Sequence, residues 1–528
     1  MLLWSVSSVL AIIHSSTVVG IDAFNVAVEV DIANGLPAFN IVGLPDAACR
    51  ESADRVRAAL KNSGFALPSK KITVNLAPAD LKKEGSSFDL AIAVGILTAD
   101  EMIEVRFVKK RIFCGELSLD GSLKPVRGIL PRAVSLRTEF PEYEFVIPYA
   151  NAKEALCVKG LGVLPAKNLS EVIAILKGGK RMDLPEDLFP KEEKPVSKTE
   201  NKFLSQFDFA DVRGQYQAKR GLEIAAAGSH NVLMIGPPGA GKTMLAKRIP
   251  GILSDISFEE AMEATKIHSV AGLLTGHLAL LDARPFRSPH HTISDAAMIG
   301  GGSNPKPGEV SLSHHGVLFL DELPEFKRHV LEVLRQPIEE GRVTISRASS
   351  TLTFPARFML VAAMNPCPCG YFTDPKKECH CSPIQVKKYL SKISGPLLDR
   401  IDIQLEIPCL KVDEMTGRAL GELSSVIQAR VEKARDFQKE RYQGLKCSFN
   451  AELEPRQVEK FCETTKDGQL ILKTAIRELG FSARAYHKAL KVARTIADLD
   501  GAGVIRPEHV AEAVGYRVLD RNRWSERV

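Results

Sequence analysis

The eight residues from 236 to 243, Gly-Pro-Pro-Gly-Ala-Gly-Lys-Thr, constrain the fold of this chain more than any other stretch. They follow an apolar run, residues 231–235, and precede a segment with helical character, residues 244–248. Between a strand and a helix, this glycine-rich pattern is typical of a Walker A loop, whose backbone N–H groups surround an anion. A chance glycine-rich turn is the alternative, but all eight positions and both flanks fit the motif. The pattern therefore predicts a nucleoside triphosphate site formed by Gly236, Pro237, Pro238, Gly239, Ala240, Gly241, Lys242 and Thr243.

Within that loop, Lys242 is expected to reach the β- and γ-phosphates, and Thr243 to place its hydroxyl on Mg²⁺. Downstream, the apolar run at residues 317–320 ends in two acids. On a P-loop fold, Asp321 would hold Mg²⁺ through water and Glu322 would orient and deprotonate the attacking water. A strand with a chance Asp-Glu pair is the alternative, but the position downstream of a Walker A loop favours the catalytic interpretation.

Three further polar residues are candidates for contacts with the phosphates. Asn365 ends another apolar run, residues 358–364, where a polar side chain would help to place the attacking water. Arg400 lies near the end of a predicted helix, and an arginine from a neighbouring subunit can accelerate phosphoryl transfer by about 10³–10⁵. An ordinary surface salt bridge is the alternative for Arg400. Arg484 opens a helix of the C-terminal region, from which a lid domain would touch the nucleotide.

Composition sets wider limits. The 528 residues are 45% hydrophobic and 25% charged, which is typical of a globular protein of several domains. A net charge of +6 permits a nucleic-acid partner without requiring one. Residues 1–13 are largely apolar, but they lack the features of a signal peptide and are too short to span a bilayer. A first strand or an upstream start codon explains them better. We expect a cytoplasmic chain with no membrane partner.

The pattern along the chain predicts an α/β protein with separate regions. Alternating strands and helices at residues 20–177 predict an α+β or α/β domain, with strands at 27–32, 71–76 and 145–148 and helices at 47–62 and 87–98. Helical periodicity near the end predicts a small all-α domain. The expected boundaries are an apolar segment at 1–19, the first domain at 20–177, a linker at 178–207, the nucleotide-binding core at 208–410 and the helical lid at 411–528.

Taken in order, the Walker A loop, the Walker B strand, Asn365, Leu-Leu-Asp-Arg at 397–400 and Ser-Ala-Arg at 482–484 resemble the AAA+ ATPases. Five further stretches are similar to the magnesium-chelatase-like branch, and most of all to its ComM/YifB type. They are Val-Gly-Leu-Pro at 42–45, Val-Asn-Leu-Ala-Pro-Ala-Asp-Leu-Lys-Lys at 74–83, Pro-Phe-Arg-Ser-Pro-His-His at 285–291, Met-Asn-Pro-Cys-Pro-Cys-Gly at 364–370 and residues 395–402. The resemblance covers residues 20 to about 518.

This resemblance implies sensor-1 for Asn365, an arginine finger for Arg400 and sensor-2 for Arg484. It also implies ATP and Mg²⁺ as cofactors and a homo-oligomeric ring, a hexamer, with each site completed between subunits. The implied activity is ATP hydrolysis coupled to DNA movement, as branch migration or helicase work in recombination and natural transformation. One alternative is a protein-remodelling or metal-chelatase motor acting with a partner subunit, although no integrin-like domain follows the lid. Another is an ATP-gated binding module.

Two segments of the core match insertions of that branch. Alternation at residues 342–347 and 350–354 predicts a hairpin, which the resemblance places at a central pore, where Arg342 and Arg347 would face a phosphate backbone. A solvated hairpin face is the alternative. Residues 300–305 correspond to another pore-facing loop. Before it lie Arg287, His290 and His291. Two adjacent histidines cannot complete a metal site, so hydrogen-bonding roles are favoured.

The N-terminal region resembles a Lon protease domain at residues 83–90 and 115–128. Ser87 falls at the position of the catalytic serine, but the position of the activating lysine aligns with Leu130. Lys124 or Arg132 would replace that lysine only if the alignment shifted. Because a serine without a base is a poor nucleophile, we expect an inactive domain retained for binding or assembly.

Four cysteines lie close together in the sequence, as Cys367-Pro-Cys369 and Cys379-His-Cys381. Four thiolates satisfy tetrahedral Zn²⁺, with His380 as an alternative ligand, although Cys-x₂-Cys is the usual spacing. A reduced thiol cluster in an exposed loop is the other interpretation. The remaining six of the ten cysteines are scattered, which favours a reducing compartment over a disulfide framework.

Overall fold

The computed structural model describes residues 10–179, 185, 207–274, 280–302, 305–347, 350–372, 374, 377–409 and 421–517. The chain forms two compact units. The first comprises Met1–Lys194 together with Thr265–Leu281, and the second comprises Pro195–Ala264 together with Asp282–Val528. Most of the predicted linker lies outside the described residues. The segment Thr265–Leu281 was expected in the nucleotide-binding core, but it belongs to the first unit.

The first unit is built on a seven-stranded mixed sheet with the order β3-β4-β2-β1-β5-β8-β9. Strands β1, β2 and β4 are antiparallel neighbours, whereas β3 and the β1-β5-β8-β9 side pair in parallel. A small hairpin, β6–β7, stands apart. The strands are β1 (Ala11–Val19), β2 (Asp22–Ala33), β3 (Ala38–Val42), β4 (Lys71–Ala77), β5 (Arg111–Phe113), β6 (Glu116–Leu117), β7 (Leu123–Lys124), β8 (Glu144–Pro148) and β9 (Gly162–Ala166).

One helix of this unit is apolar on every side. All residues of Asp89–Ala99 are buried, which is expected of a helix that packs against the sheet in the centre of a core. Its Gly95 leaves no room for a side chain, since a Cβ there would lie 2.6 Å from Val30 Cγ2. The other helices are Ala47–Arg50, Ser52–Asn62, Val105–Val108, Ile129–Glu139, Ala152–Ala155 and Leu169–Leu176, with a 3-10 turn at Tyr149–Asn151.

The first strand corrects the expected start of this domain. β1 pairs with β2 along its whole length, from Ala11 opposite Val30 to Val19 opposite Asp22. Placing the domain boundary at residue 20 is therefore wrong, because the apolar segment before it supplies a central strand. The predicted strands at 27–32, 71–76 and 145–148 are confirmed within β2, β4 and β8. The helix expected at 47–62 is two consecutive helices.

The second unit contains a five-stranded, all-parallel sheet with the order β11-β14-β17-β10-β18. Its central strands are apolar without alternation because both faces of a parallel sheet are covered. Two hairpins, β12–β13 and β15–β16, project from the core. The strands are β10 (Val232–Ile235), β11 (Phe286–Arg287), β12 (Gly300–Gly301), β13 (Lys306–Pro307), β14 (Val317–Leu320), β15 (Arg342–Arg347), β16 (Ser350–Pro355), β17 (Met359–Met364) and β18 (Ile403–Glu406).

Helices surround this sheet and continue into the C-terminal region. Those of the core are Tyr216–Gly228, Lys242–Ala246, Phe258–Ala271 (of which residues 258–264 belong to this unit), Asp295–Ile299, Glu309–Leu312, Arg328–Val333, Arg335–Glu340, Pro383–Leu390 and Gly395–Leu398. Those of the C-terminal region are Ser424–Arg441, Pro455–Phe461, Lys466–Leu479, Ala483–Leu499 and Pro507–Gly515. Short 3-10 turns occur at Phe209–Asp211, Ile249–Gly251, Leu323–Glu325 and Asn450–Glu452. The predicted all-α character is confirmed for residues 421–517.

The helical C-terminal region shares one hydrophobic core with the sheet. Leu222 and Val232 of the sheet region belong to the same buried cluster as Val431 and Ala489 of the C-terminal helices. Hydrogen bonds reinforce this packing, as when the buried Gln438 donates to the carbonyl of Ala227. The C-terminal helices are therefore fixed on the core within one compact unit.

Among the residues that the structure describes, none of the helices combines the length and apolar character needed to traverse a lipid bilayer.

Candidate nucleotide-binding and catalytic site

The glycine-rich loop begins where β10 ends. The N–H of Gly236 donates to the carbonyl of Met364, the last residue of β17. A Cβ at Gly236 would lie 2.2 Å from the carbonyl oxygen of Ile407, so only glycine fits there. Gly239 and Gly241 have φ angles of +78° and +92°, and no heavy atom lies within 4 Å of the position of a Cβ at either residue. The loop is thus a tight turn with open space in front of Gly239 and Gly241.

The side chain of Lys242 folds back onto the glycine-rich loop. Its ammonium donates to the carbonyls of Gly236 (2.7 Å) and Pro237 (2.9 Å), and to Asn365 Oδ1 (3.0 Å). The residue is 9% exposed, and burial lowers the pKa of its ammonium group. The predicted residues Lys242 and Asn365 are therefore brought together, although 123 positions separate them in the chain.

The two acids lie at the same edge of the sheet. β14 and β10 both pair in parallel with β17, so their carboxyl ends face the same side. The hydroxyl of Thr243 donates to Asp321 Oδ2 at 2.6 Å. A hydroxyl and a carboxylate are the hard oxygen ligands that Mg²⁺ prefers, so these residues fit the metal expected there.

Glu322 has an unusual backbone conformation. Its φ is +52°, in the left-handed region that costs a residue with a side chain about 1–3 kcal/mol and that is concentrated at functional sites. Its N–H donates to Asp321 Oδ1 (3.0 Å), and its side chain is 58% exposed. This turn directs the carboxylate of Glu322 away from the sheet while Asp321 stays beside Thr243.

His291 is a neighbour of this site that the sequence analysis did not place there. Its Nδ1 lies 3.7 Å from Glu322 Oε2, and its ring centroid lies 4.1 Å from that of His290, with the two rings tilted by 34°. Because β11 pairs in parallel with β14, its carboxyl end points to the same edge of the sheet. The position of His291 shortly after β11 was therefore the signal that could have placed it at this site. Arg287 instead forms a two-bond ion pair with Glu309, at 2.7 and 2.8 Å.

Arg400 lies at the opposite edge of the same sheet. It precedes β18, whose first residue, Ile403, is beside Val232 at the start of β10. The side chain of Asn231 donates to the carbonyl of Arg400 at 3.1 Å. The four residues of β10 therefore separate Arg400 from the glycine-rich loop, a strand length of about 13 Å. The Arg400 guanidinium forms an ion pair with Glu339 and donates to the carbonyl of Pro396 (2.5 Å).

Arg484 also lies at that opposite edge. Its guanidinium is 4.0 Å from Asp399 Oδ2 and is 65% exposed. Together with Arg400 it lines a cleft of ≈510 Å³ between the sheet and the C-terminal helices. Arg484 lies away from the glycine-rich loop of its own chain, because the C-terminal helices pack at the start of β10 rather than at its end. The expected contact of Arg484 with a nucleotide stays a prediction. Further basic residues of the cleft are Arg284, Arg357, Arg435, Lys446, Lys488 and Lys491.

A buried polar network fixes the C-terminal helices at this edge. Asp402 accepts from the N–H of Asn231 (2.9 Å) and lies 2.8 Å from the ammonium of Lys488. His230 contacts Asp402 (3.8 Å) and forms a hydrogen bond with Thr495 (2.7 Å). Burial by itself raises the pKa of Asp402, but the charges of Lys488 and His230 outweigh burial and hold the pKa below its ordinary value.

The hairpin predicted at 342–354 is confirmed as β15–β16, with Arg342 opposite Pro355 and Arg347 opposite Ser350. Arg342 is 61% exposed, and its ion pair with Glu340 lies at the surface. The side chain of Arg347 lies outside the described residues, as do residues 303 and 304 of the second predicted loop. In that loop, a Cβ at Gly300 would lie 2.9 Å from Ile345 Cδ1, so the two hairpins pack against each other.

In the first unit, the residue that faces Ser87 is Arg132, and not the aligned Leu130. Arg132 Nη2 donates to Ser87 Oγ (3.2 Å), and its Nη1 donates to the carbonyl of Ser16 (2.5 Å) and to Cys114 Sγ (3.1 Å). This geometry agrees with the alternative in which the alignment shifts and Arg132 takes the lysine position. A guanidinium stays protonated in proteins and cannot accept the proton of a serine, so this arrangement lacks a catalytic base.

The four clustered cysteines converge, with their sulfur atoms all within 4.8 Å of one another. A second convergent group, Glu263, His314 and His315, is not suited to a metal. Nδ1 of the buried His314 accepts the N–H of Arg357, so Nε2 carries the proton and donates to Glu263 (3.1 Å). A protonated Nε2 has no lone pair for a metal. The second group is therefore held together by hydrogen bonds between the two imidazoles and Glu263.

Comparison with protein families covers most of the chain. Residues 28–151 match the model described as subunit ChlI of Mg-chelatase, residues 208–415 match magnesium chelatase, subunit ChlI, and residues 421–517 match the C-terminal model of that subunit. These models support the mixed α/β fold with a parallel AAA+ sheet and a helical C-terminal region, and they support an ATPase motor with ATP and Mg²⁺ as cofactors.

Individual relatives agree with the family models. The chain is 44% identical over 515 residues to the competence protein ComM of Haemophilus influenzae. The matched region covers 97% of this chain and 98% of the relative. It has the same identity and coverage with the protein YifB of Escherichia coli. Lon protease 2 of Bacillus subtilis is 27% identical over 150 residues, 26% of each chain. The chain belongs to the ComM/YifB type of the magnesium-chelatase-like AAA+ family.

Proposed function

We propose that this chain is an ATP-hydrolysing ring motor whose catalytic site is shared between neighbouring subunits. The observation that carries the proposal is the position of Lys242 and Arg400 at opposite edges of one parallel sheet. A single chain cannot bring both side chains to one nucleotide. In a head-to-tail ring, however, the edge that carries Arg400 and Arg484 faces the glycine-rich loop of the next subunit. A hexamer is the ring size that we propose.

In the proposed reaction, Lys242 exchanges the carbonyls of Gly236 and Pro237 for the β- and γ-phosphate oxygens of ATP. Mg²⁺, held by Thr243 and Asp321, would neutralise phosphate charge. Glu322 accepts a proton from water as the water oxygen bonds to the γ-phosphorus and the bond to the ADP oxygen breaks. The products are ADP and phosphate.

The remaining residues orient the reactants and stabilise charge. Asn365, which accepts a hydrogen bond from Lys242, would orient the attacking water with its amide. Arg400 of the neighbouring subunit would stabilise the charge that develops on the transferred phosphoryl group. Arg484 enters the same proposed site beside Arg400, and the basic cleft around them suits phosphate oxygens.

We propose DNA as the substrate that this motor moves, in branch migration or helicase work during recombination and natural transformation. The mild positive charge and the exposed Arg342 on the β15–β16 hairpin support a contact with a phosphate backbone. The Haemophilus relative is named a competence protein, which is in keeping with this role. The alternative is a protein-remodelling or metal-chelatase motor that needs a partner subunit, as the names of the family models suggest.

The two functions differ in what stimulates hydrolysis. We predict that forked or four-way DNA raises the ATPase rate of the wild type, and that Arg342→Ala reduces this stimulation without reducing the basal rate. Lys266→Ala, a basic residue of the first unit, provides a charge-matched control. The stimulation should weaken steeply as salt is raised, because bound phosphates release counterions. A wild-type rate that no DNA structure changes would exclude the DNA motor in favour of the alternative.

A further inference from the structure

The loop that follows β17 carries four cysteines whose sulfur atoms meet at one point. Cys367 Sγ lies 3.3 Å from Cys369 Sγ and 3.7 Å from Cys379 Sγ, and the last two are 3.5 Å apart. Cys381 completes the group, with all four sulfur atoms within 4.8 Å of one another. Cys367 is fully buried and the other three are half-buried. None of them forms a disulfide.

These separations are close to those of a tetrahedral metal site with four sulfur ligands. In a tetrahedral zinc site with Zn–S bonds of about 2.3 Å, neighbouring sulfur atoms lie about 3.8 Å apart. The three separations among Cys367, Cys369 and Cys379 fall just below that edge length, and Cys381 lies within 4.8 Å of the others, so small movements would centre an ion among the four thiolates. Sulfur-only tetrahedra select Zn²⁺, or iron in a cluster, over hard cations such as Mg²⁺. His380, the alternative ligand, is exposed and lies outside the group of four.

The backbone around the cluster is arranged as in a metal-binding turn. The N–H of Gly370 donates to Cys367 Sγ at 3.2 Å, and a backbone hydrogen bond from Tyr371 reaches Cys369. Donors of this kind stabilise the negative charge of ligating thiolates and orient them. Gly370 has a φ of +87°, which allows the chain to reverse immediately after the first pair of cysteines.

The cluster adjoins the nucleotide site. A Cβ at Gly370 would lie 2.5 Å from Cδ of Pro238 in the glycine-rich loop and 3.8 Å from Cγ of Asn365. Cys367 follows Asn365 by two residues. The same loop therefore carries both the cysteine cluster and the side-chain amide that accepts a hydrogen bond from Lys242. The position of this loop therefore affects both the phosphate-binding loop and Asn365.

We propose that Cys367, Cys369, Cys379 and Cys381 bind one structural Zn²⁺ ion, which holds this loop against Pro238 and positions Asn365 for the nucleotide. The ion has no open coordination position and does no chemistry on ATP. It acts on hydrolysis only through the geometry of Pro238 and Asn365. This proposal concerns metal content and loop position, and it holds whether or not DNA is the substrate.

The first test measures the metal. Full-length protein from zinc-supplemented cells, purified anaerobically without chelators, should contain one zinc per chain by mass spectrometry. Cys379→Ser and Cys381→Ser should lose most of it, whereas Cys157→Ser, a buried cysteine of the first unit, should keep it. In case the cluster variants fail to fold, Co²⁺ exchanged into the wild type should give the charge-transfer and d–d absorption of a tetrahedral tetrathiolate site. Metal-free wild type that shows no such absorption with Co²⁺ would overturn the proposal.

The second test measures the coupling to the nucleotide site. Removing zinc from the wild type with a chelator should weaken the affinity for a fluorescent ATP analogue several-fold, and re-addition of zinc should restore it. Chelator-treated Cys157→Ser should respond like the wild type. An affinity that is the same with and without zinc would contradict the positioning role. Loss of DNA stimulation alone would bear on the DNA motor and leave the zinc proposal standing.

Discussion

Glu322 shows how the backbone can give two adjacent acidic residues different surroundings. Asp321 and Glu322 are adjacent, yet they need different surroundings, because one should face Mg²⁺ and the other should face water. The left-handed φ of Glu322 separates them, with Asp321 bound to Thr243 and the carboxylate of Glu322 exposed beside His291. Backbone strain that persists at such a position is expected where function requires it.

The first prediction concerns this carboxylate. Glu322→Gln keeps the size and a hydrogen-bonding group but cannot accept a proton, so we expect kcat for ATP hydrolysis to fall by about 10²–10⁴. Binding of a fluorescent ATP analogue should be retained, because Lys242 and Thr243 are intact. Glu325→Gln, an exposed acid three positions further on, serves as the control and should hydrolyse at the wild-type rate. Comparable activity in both variants would remove Glu322 from the mechanism.

At the scale of elements, the direction of parallel strands explains both the success and the limits of the sequence analysis. The motifs at the ends of apolar runs were sufficient to predict that Lys242, Asp321 and Asn365 lie at one site. The reason is that the carboxyl ends of parallel strands meet at one edge of the sheet. The same reasoning did not place Arg484, because its helix is positioned by contacts distant in sequence, such as Lys488 with Asp402. Local patterns carry no information about such packing.

Two other differences from the sequence-based expectations also depend on packing. Arg132 rather than Leu130 faces Ser87, because the helix Ile129–Glu139 turns Leu130 into the core, and a pairwise alignment does not register helical phase. The segment Thr265–Leu281 belongs to the first unit although it is encoded within the second. The change of unit falls inside one helix, Phe258–Ala271, so no break in the local pattern marks it.

The second prediction tests what fixes the C-terminal helices. Asp402→Asn leaves the ammonium of Lys488 buried without its partner, which typically costs about 3–5 kcal/mol. Urea unfolding of the second unit should report the loss, and adding Lys488→Met should recover part of it. Asp399→Asn is the control, since this half-exposed acid makes only a 4.0 Å contact with Arg484 and should change stability by about 1 kcal/mol or less.

The same residue gives a pH dependence. Because the pKa of Asp402 is held below its ordinary value, the unfolded state binds its proton first as the pH falls. The stabilisation is therefore fully present at neutral pH and declines once the pH drops below about 4, the ordinary range of an aspartate. The wild type should lose more stability than Asp402→Asn over that acidic range, and equal losses would indicate that Asp402 is not the titrating group.

At the scale of the whole molecule, the two units differ in the chemistry that their polar residues allow. In the first unit, Ser87 accepts a hydrogen bond from the buried Arg132, whose guanidinium cannot act as a base. In the proposed function, the second unit provides half of an ATPase site at one edge of its sheet and candidate cations, Arg400 and Arg484, at the other. A chain divided in this way is suited to work in a ring, and the proposed function depends on that arrangement.

The most direct test of the shared site is to mix two inactive variants. Lys242→Ala lacks the residue that binds phosphate but keeps Arg400, whereas Arg400→Ala keeps the phosphate-binding loop but lacks the arginine. Each alone should be inactive in ATP hydrolysis. In randomly mixed rings, about one interface in four would join an intact loop to an intact Arg400. The mixture should therefore recover about a quarter of the wild-type rate of ATP hydrolysis. A mixture as inactive as either variant alone, in rings shown to contain both, would contradict a site completed by the neighbouring subunit.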